Sequence, residues 1–341
     1  MTPDAPGHDI VVIGASAGGV EALSELVRGL PGDLPASLFV VMHMQAGVSS
    51  FLPDILSKVG PLRAAHPVHG EAIVPGRIYV APPDNHLMLR PGYMTVLRGP
   101  KENGHRPAVD ALFRSAAIAY GARVVGVVLT GYHDDGTAGL LSIKARGGLA
   151  VVQDPADALV MNMPRTAIQH VAVDHVASLR DIGGLLARLV RTPAARPPVH
   201  LPGAMAEIEG DEPGFSADIV CPICQGRLTE TEVNGFQMFR CHVGHSFSLE
   251  TVAAEQAEEV ERALWAAARA LEESAALAAR MSAVGPSAEM RDRFAEKQQS
   301  QFQQAELIRR ILLSGGVLSR SDVEERPEEL NTGHGNPAEP T

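Results

Sequence analysis

The feature that most constrains the fold is a set of short, continuous runs of branched apolar residues, each followed by a segment with helical spacing. The clearest runs lie at residues 9–13, 38–42 and 124–129, and a helix-like segment at 19–30 follows the first. Unbroken hydrophobicity is typical of strands buried on both faces, and strands that alternate with helices pair in parallel. The first half of the chain therefore predicts an α/β fold, a doubly wound, mostly parallel sheet with helices on both faces.

The first apolar run leads directly into the sequence GASAGG at residues 14–19, and a predicted helix follows. This is the G-x-S-x-G pattern in a strand–turn–helix context, which presents a serine, here Ser16, on a tight turn. The N–H groups at the start of the helix favour a developing oxyanion, with Ala17 as the first donor candidate and Gly18 and Gly19 completing the turn. A phosphate- or dinucleotide-binding loop is the alternative, although that fingerprint has glycine where Ser16 stands.

A nucleophilic serine needs a base and an acid that orients the base. His43 follows the second predicted strand as Ser16 follows the first, so both should emerge at the carboxyl edge of the sheet. The loop after the run at 124–129 carries His133, Asp134 and Asp135. His133 is a rival base, and spacing alone leaves both carboxylates open as the acid or as helix caps.

Five segments resemble the catalytic domain of chemotaxis protein-glutamate methylesterases. They are VVIGASAGGVEAL at 11–23, VVMHM at 40–44, IYVAPPDNHLML at 78–89, HRPAVDALFRSAA at 105–117 and LTGYHDDGTAGL at 129–140. They stand in the family's order, so the resemblance covers residues 8 to about 191. It implies the same doubly wound fold and assigns the nucleophile to Ser16, the base to His43 and the acid to Asp135, the aspartate that directly precedes glycine.

The resemblance implies hydrolysis of glutamate methyl esters on the cytoplasmic domains of methyl-accepting receptors, with glutamine deamidation as a second reaction and no cofactor for catalysis. The sequence departs from the family at Ala17, where threonine is common, and at YHD (132–134), where familiar members carry Met-Gly-Asn. Because the matching segments begin near the first residue, we expect no attached receiver domain. Two alternatives are a serine esterase or amidase with another substrate and a non-catalytic signalling adaptor.

All three cysteines of the chain fall in one window as Cys221-x2-Cys224 and Cys241, with His245 following. Two ligand pairs joined by a hairpin, with Asn-Gly at 234–235 as the turn, are typical of a zinc ribbon. We expect a closed structural zinc site made by these four residues, within a unit at 219–247. His242 is an alternative fourth ligand, and three buried free thiols are the alternative to a metal.

The remaining segments differ in composition and in the periodicity of their apolar residues. Residues 192–218 contain five prolines and predict a linker, whereas residues 248–314 have helical periodicity interrupted by Gly-Pro at 285–286 and predict a helical hairpin with Ser287 as a cap. Apolar residues recur there at three- and four-residue steps, which suits packing within the hairpin or docking of a signalling partner. The polar residues at 315–341 predict a disordered tail.

Charge and hydropathy exclude two classes of partner. The net charge is −11 and no run of Lys and Arg occurs, so nucleic-acid binding is not expected. The apolar runs are too short for membrane insertion, and the first residues do not read as a signal peptide. The odd number of cysteines argues against a disulfide framework. Together these observations predict a cytoplasmic protein.

Overall fold

The computed structural model describes residues 7–194, 215–233 and 235–314. Most of the predicted linker and the whole of the predicted tail therefore lie outside the described residues. The first nine strands are β1 (Ile10–Ala15), β2 (Ser37–Met42), β3 (Arg63–Ala65), β4 (Arg77–Val80), β5 (His86–Arg90), β6 (Tyr93–Leu97), β7 (Val124–Val128), β8 (Leu149–Gln153) and β9 (His175–Ala177). The helices among them are α1 (Gly19–Arg28), α2 (Leu52–Val59), α3 (Val109–Tyr120), α4 (Thr137–Ala145), α5 (Asn162–His170) and α6 (Leu179–Leu189).

Seven of these strands form one sheet in the order β3-β4-β2-β1-β7-β8-β9, and all of its pairings are parallel. The predicted fold class is confirmed. The strand predicted at 94–97 also forms, but as β6 it pairs with β5 in a separate antiparallel ribbon.

Helices cover both faces of the sheet because each central strand is apolar on both sides. In β1, Val11 and Ile13 belong to one buried cluster and Ile10 and Val12 to the other. Each such side chain contributes about 1.5–3 kcal/mol when fully buried. The first cluster includes residues of α1, α2 and α6, and the second includes residues of α3, α4 and α5.

The topology places three loops at the same edge of the sheet. The strand β1 lies between β2 and β7, so the chain segments that leave the carboxyl ends of these three strands are neighbours. Ser16, His43 and the loop carrying Asp135 follow these strands. Ligand sites of doubly wound sheets assemble at this edge.

The Cys/His unit is a four-stranded antiparallel sheet of β10 (Phe215–Val220), β11 (Arg227–Val233), β12 (Phe236–Cys241) and β13 (Ser246–Ser248). The strands β11 and β12 flank the predicted hairpin turn, of which Asn234 lies outside the described residues and Gly235 has φ of 74°. Phe236 and Met238 belong to the same buried cluster as α3 and α4, and Phe236 meets the ring of His170 edge-on at 5.2 Å between centroids. The core around the seven-stranded sheet therefore continues into this smaller sheet.

The chain divides into two compact units between Thr251 and Val252, a boundary that falls near the start of α7 (Leu249–Val284). The second unit contains the rest of α7 and α8 (Ala288–Leu313), whose first turn is capped by Ser287 accepting from the Met290 N–H. Contacts between these helices include Arg309 to Glu272 at 2.6 Å, Gln301 to Ser274 at 2.8 Å, and the Ser282 hydroxyl donating to the Arg291 carbonyl at 2.9 Å. Within the described residues, every helix is too short or too polar to cross a membrane.

The predicted apolar stripe on α7 is only partly buried. Among its positions, Ala275 and Ala278 are buried and Val260 is 50% exposed, while Ala268, the neighbour of the stripe position Ala267, is also buried.

Candidate active site

Ser16 stands on a turn that its neighbours fix on both sides. Its N–H donates to the carbonyl of Thr130 at 2.9 Å, and its own carbonyl accepts from the N–H of Gly19 at 2.8 Å. Gly18 has φ of 75°, and a Cβ there would lie 2.8 Å from the Leu159 side chain, so only glycine fits. Because the Gly19 N–H is used within the turn, Ala17 and Gly18 are the better candidates for oxyanion donors.

His43 links the serine to the acid. Its Nδ1 lies 3.1 Å from Ser16 Oγ and its Nε2 lies 2.7 Å from Asp135 Oδ2, with the side chain only 6% exposed. A proton on Nε2 satisfies the carboxylate and leaves Nδ1 free to accept from the serine hydroxyl. The ring stacks on His105 at 3.7 Å between centroids, which fixes its plane.

Asp135 is a buried carboxylate held by four donors. Besides His43, the N–H of Val109 donates to Oδ2 at 2.7 Å, and the N–H of Asp110 and the amide of Asn103 donate to Oδ1 at 3.0 and 3.2 Å. Burial disfavours its charge, but the interactions with His43, His105 and the Val109 N–H together outweigh burial and hold the Asp135 pKa below its usual range. The N-terminus of α3 adds a favourable dipole.

The rival residues of this loop face elsewhere. Asp134 Oδ1 accepts from the hydroxyls of Ser248 at 2.8 Å and Thr251 at 3.3 Å. Burial, followed by the charge of Glu250, raises the pKa of Asp134 to about 7. His133 is buried with Nδ1 3.7 Å from Glu250 Oε1. The geometry thus joins Asp135 rather than Asp134 to His43.

Three residues of this site were not predicted to take part in it: Asn103, His105 and Asp110. Asp110 Oδ1 accepts from the N–H groups of Gly136 at 3.0 Å and Gly139 at 2.7 Å, which ties α3 to the start of α4. Burial and the neighbouring charge of Asp135 raise the Asp110 pKa. Asn103 has φ of 49°, in the left-handed region that asparagine tolerates, but its sequence context offers no signal of a role.

A cleft of about 380 Å³ opens beside His43. Its walls include Lys101, His105 and Arg106, and the Arg106 guanidinium is held by Asp84, with 2.8 Å between Nε and Oδ1. Polar and cationic groups therefore line one side of this cleft.

The four predicted metal ligands converge in the Cys/His unit. The ligand atoms of Cys221, Cys224, Cys241 and His245 all lie within 4.8 Å of one another. Cys224 Sγ is 3.6 Å from Cys241 Sγ, and His245 Nδ1 is 3.5 Å from Cys241 Sγ and 3.7 Å from Cys221 Sγ. Tetrahedral zinc with bonds of about 2.3 Å to sulfur and 2.0 Å to nitrogen needs ligand separations of about 3.5–3.8 Å. The residues present fit such an ion, and among the described residues His242 is not in the group.

The site lies at the carboxyl edge of a doubly wound sheet, where a buried carboxylate is hydrogen-bonded to a histidine and the histidine to a serine. This arrangement is typical of acyl-transfer sites that use an activated serine. The comparisons specify the family. The model of the CheB methylesterase family matches residues 11–186, and the chain belongs to that family.

Two curated relatives carry the name protein-glutamate methylesterase/protein-glutamine glutaminase. The protein of Ralstonia nicotianae is 43% identical over 185 residues, which are 53% of this chain and 48% of the relative. The protein of Thiobacillus denitrificans is 41% identical over 184 residues, 53% of this chain and 51% of the relative. The chain thus matches about half the length of each. The crystal structure of the Thermotoga maritima CheB methylesterase catalytic domain is 34% identical with a TM-score of 0.52, and the match covers 53% of this chain and 98% of that one.

Proposed function

We propose that the chain is a protein-glutamate methylesterase that hydrolyses glutamate methyl esters on the cytoplasmic domains of methyl-accepting chemotaxis-type receptors. The observation that carries the proposal is the hydrogen-bonded chain from Ser16 through His43 to Asp135 in a member of this family. The names of the relatives support hydrolysis at glutamate side chains of a protein, and the family resemblance of the sequence supports receptors as that protein.

In the proposed mechanism His43 Nδ1 takes the Ser16 proton while Oγ attacks the ester carbonyl. The imidazolium that forms is stabilised by the Asp135 carboxylate at Nε2. Backbone N–H groups of Ala17 and Gly18 hold the oxyanion. His43 then protonates the departing methanol, and water, activated by the same imidazole, releases the receptor glutamate. Each of these steps is carried out by protein groups and water, and the proposed reaction uses no cofactor.

Glutamine deamidation by the same site is a second candidate reaction, since both relatives carry glutaminase in their names. The acyl-enzyme is identical, and ammonia leaves in place of methanol. The two activities are separated by supplying receptor fragments that carry either methyl glutamate or glutamine and measuring methanol or ammonia.

We assign the Cys/His site a structural zinc ion held by Cys221, Cys224, Cys241 and His245. Four protein ligands leave no open position, so the ion would contribute to folding and not to ester hydrolysis. Three reduced thiols in one metal site suit a reducing compartment, which supports a cytoplasmic location. Docking of a signalling partner on α7 and α8 stays a prediction.

The proposal is tested by incubating the full chain with a methyl-labelled receptor cytoplasmic fragment and measuring released methanol. Ser16→Ala should release none, whereas Ser178→Ala, a serine at the start of α6, should match wild type. Labelling of Ser16 by a fluorophosphonate probe tests the nucleophile without a substrate. A wild-type protein that neither releases methanol nor reacts with the probe would contradict the proposal.

A further inference from the structure

The strand β13 brings the Cys/His unit into contact with the loop that supports the catalytic acid. It begins one residue after the ligand His245 and runs beside residues 101–103. The N–H of Ser246 donates to the Lys101 carbonyl at 3.4 Å, and the N–H of Asn103 donates to the Ser246 carbonyl at 2.7 Å. The loop is thereby held as an additional edge segment of the four-stranded sheet.

Asn103 connects this edge to the acid through its side chain. Its Oδ1 accepts from the N–H of Ser248 at 3.0 Å, and its Nδ2 donates to Asp110 Oδ2 at 3.0 Å and to Asp135 Oδ1 at 3.2 Å. An N–H on one side and carboxylates on the other fix which end of the amide is oxygen. The residue is only 3% exposed, so bulk solvent does not compete for these contacts.

The amide matters because Asp110 and Asp135 are buried side by side. Two carboxyl groups that share a site repel each other when both are charged. The two hydrogens of the Asn103 amide, one toward each carboxyl, offset this repulsion and hold Oδ1 of Asp135. The other oxygen, Oδ2, is then directed at His43.

Ser248 makes a second contact with the catalytic loop. Its hydroxyl donates to Asp134 Oδ1 at 2.8 Å, while its N–H holds Asn103. Ser248 therefore contacts two residues beside Asp135: Asp134, which precedes it in the sequence, and Asn103, which is hydrogen-bonded to it.

We propose that Asn103 is a positioning residue for Asp135 and that Ser248 of the Cys/His unit holds it in place, so that this unit completes the support of the catalytic acid. The proposal rests on the function proposed above for Ser16, His43 and Asp135. It assigns the unit a role in setting the reactivity of the serine, through side-chain geometry and without contact with the substrate.

The test measures the rate constant with which a fluorophosphonate probe labels Ser16 in the full chain, together with the final fraction labelled. Asn103→Ala should lower the rate constant about 10- to 100-fold, the effect of losing a hydrogen bond to a charged group. The final fraction labelled should stay at the wild-type value, because the variant is expected to fold and to react completely, only more slowly. A purely structural role of Asn103 would instead lower the fraction of protein that can be labelled. With receptor fragment, kcat should fall while KM is unchanged.

A matched pair at Ser248 tests the link to the Cys/His unit. Ser248→Ala and Ser248→Pro both lack the hydroxyl, but only proline lacks the N–H that holds Asn103. The proline variant should label about 10-fold more slowly than the alanine variant. In an Asn103→Ala background the two should label at the same rate.

The outcomes separate this proposal from the proposed function. A wild-type chain that the probe does not label contradicts the function itself. A labelled wild type whose Asn103→Ala variant reacts with the same rate constant overturns the positioning role of Asn103. Equal rates for the two Ser248 variants overturn the role of the Cys/His unit.

Discussion

Replacing Asp134 by asparagine is expected to stabilise the protein at alkaline pH far more than at acidic pH. The carboxyl is 2% exposed, its Oδ1 accepts from two hydroxyls, and the charged or titratable groups around it are Glu250, His133 and Asp135. Burial and Glu250 raise its pKa from 3.8 to about 7. The folded protein therefore keeps this proton to a higher pH than the unfolded chain does.

The sign and size of the effect follow from linkage. The contribution of a raised carboxyl pKa to stability is fully present below the pKa of the unfolded chain and is lost as the pH rises through the folded value. For a folded pKa of about 7, the loss between pH 5 and pH 8 amounts to about 2–3 kcal/mol. Asparagine keeps an oxygen that accepts from Ser248 and Thr251 but has no proton to lose. The gain from Asp134→Asn should therefore be about 2–3 kcal/mol larger at pH 8 than at pH 5.

The assay is the urea dependence of amide hydrogen exchange in β1, which reports opening of the first unit. The free energies of unfolding of wild type and Asp134→Asn are compared at both pH values, so that titration of other groups cancels. Asp54→Asn, at an exposed position in α2, controls for the loss of a negative charge. A gain of the same size at pH 5 and pH 8 would refute the reasoning, because burial of a titrating carboxyl would then not be its cause.

Three further predictions concern the acid, the sheet and the metal site. Asp135→Asn should lower kcat/KM for the receptor fragment by about 10³- to 10⁴-fold. The reason is that an amide cannot accept from all four donors and leaves His43 in the wrong tautomer. An effect below about 10-fold would show that the acid is dispensable. Gly14→Ala should cost about 1–3 kcal/mol in chemical denaturation, since its Cβ would lie 2.3 Å from Val109 Cγ1, whereas Gly184→Ala, with open space around it, should cost nothing. Cys241→Ser should abolish stoichiometric zinc binding measured by mass spectrometry of the native protein, and retention of one bound zinc would argue against the ligand set.

The sequence was most informative about the catalytic half because its strands are buried on both faces. Continuous apolar runs located β1, β2 and β7, and strand ends located Ser16 and His43. The choice of Asp135 over Asp134 came from family resemblance, since two adjacent carboxylates cannot be separated by periodicity. The structure separates them by their partners, His43 for one and Ser248 for the other.

Contacts between distant segments were not predictable from local patterns. Asn103 and Ser248 are 145 residues apart in the chain, and a polar residue in a loop has no periodic signal. The short strands β3, β9 and β13 have three residues each, too few for a hydrophobic period to be read. The convergence of Cys221, Cys224, Cys241 and His245 was predictable because two short-range pairs with fixed spacing carry their own signal.

The shared core of Phe236 and Met238 with α3 and α4 bears on how the molecule can be divided. The family match ends at residue 186, which would suggest an excisable module. A fragment cut there would leave bare the apolar surface on which these two side chains rest. The same dependence orders biosynthesis, since the catalytic half leaves the ribosome before the strands that cover it. In this chain the strand that carries Phe236 and Met238 is therefore part of what shields the core of the family-matched segment.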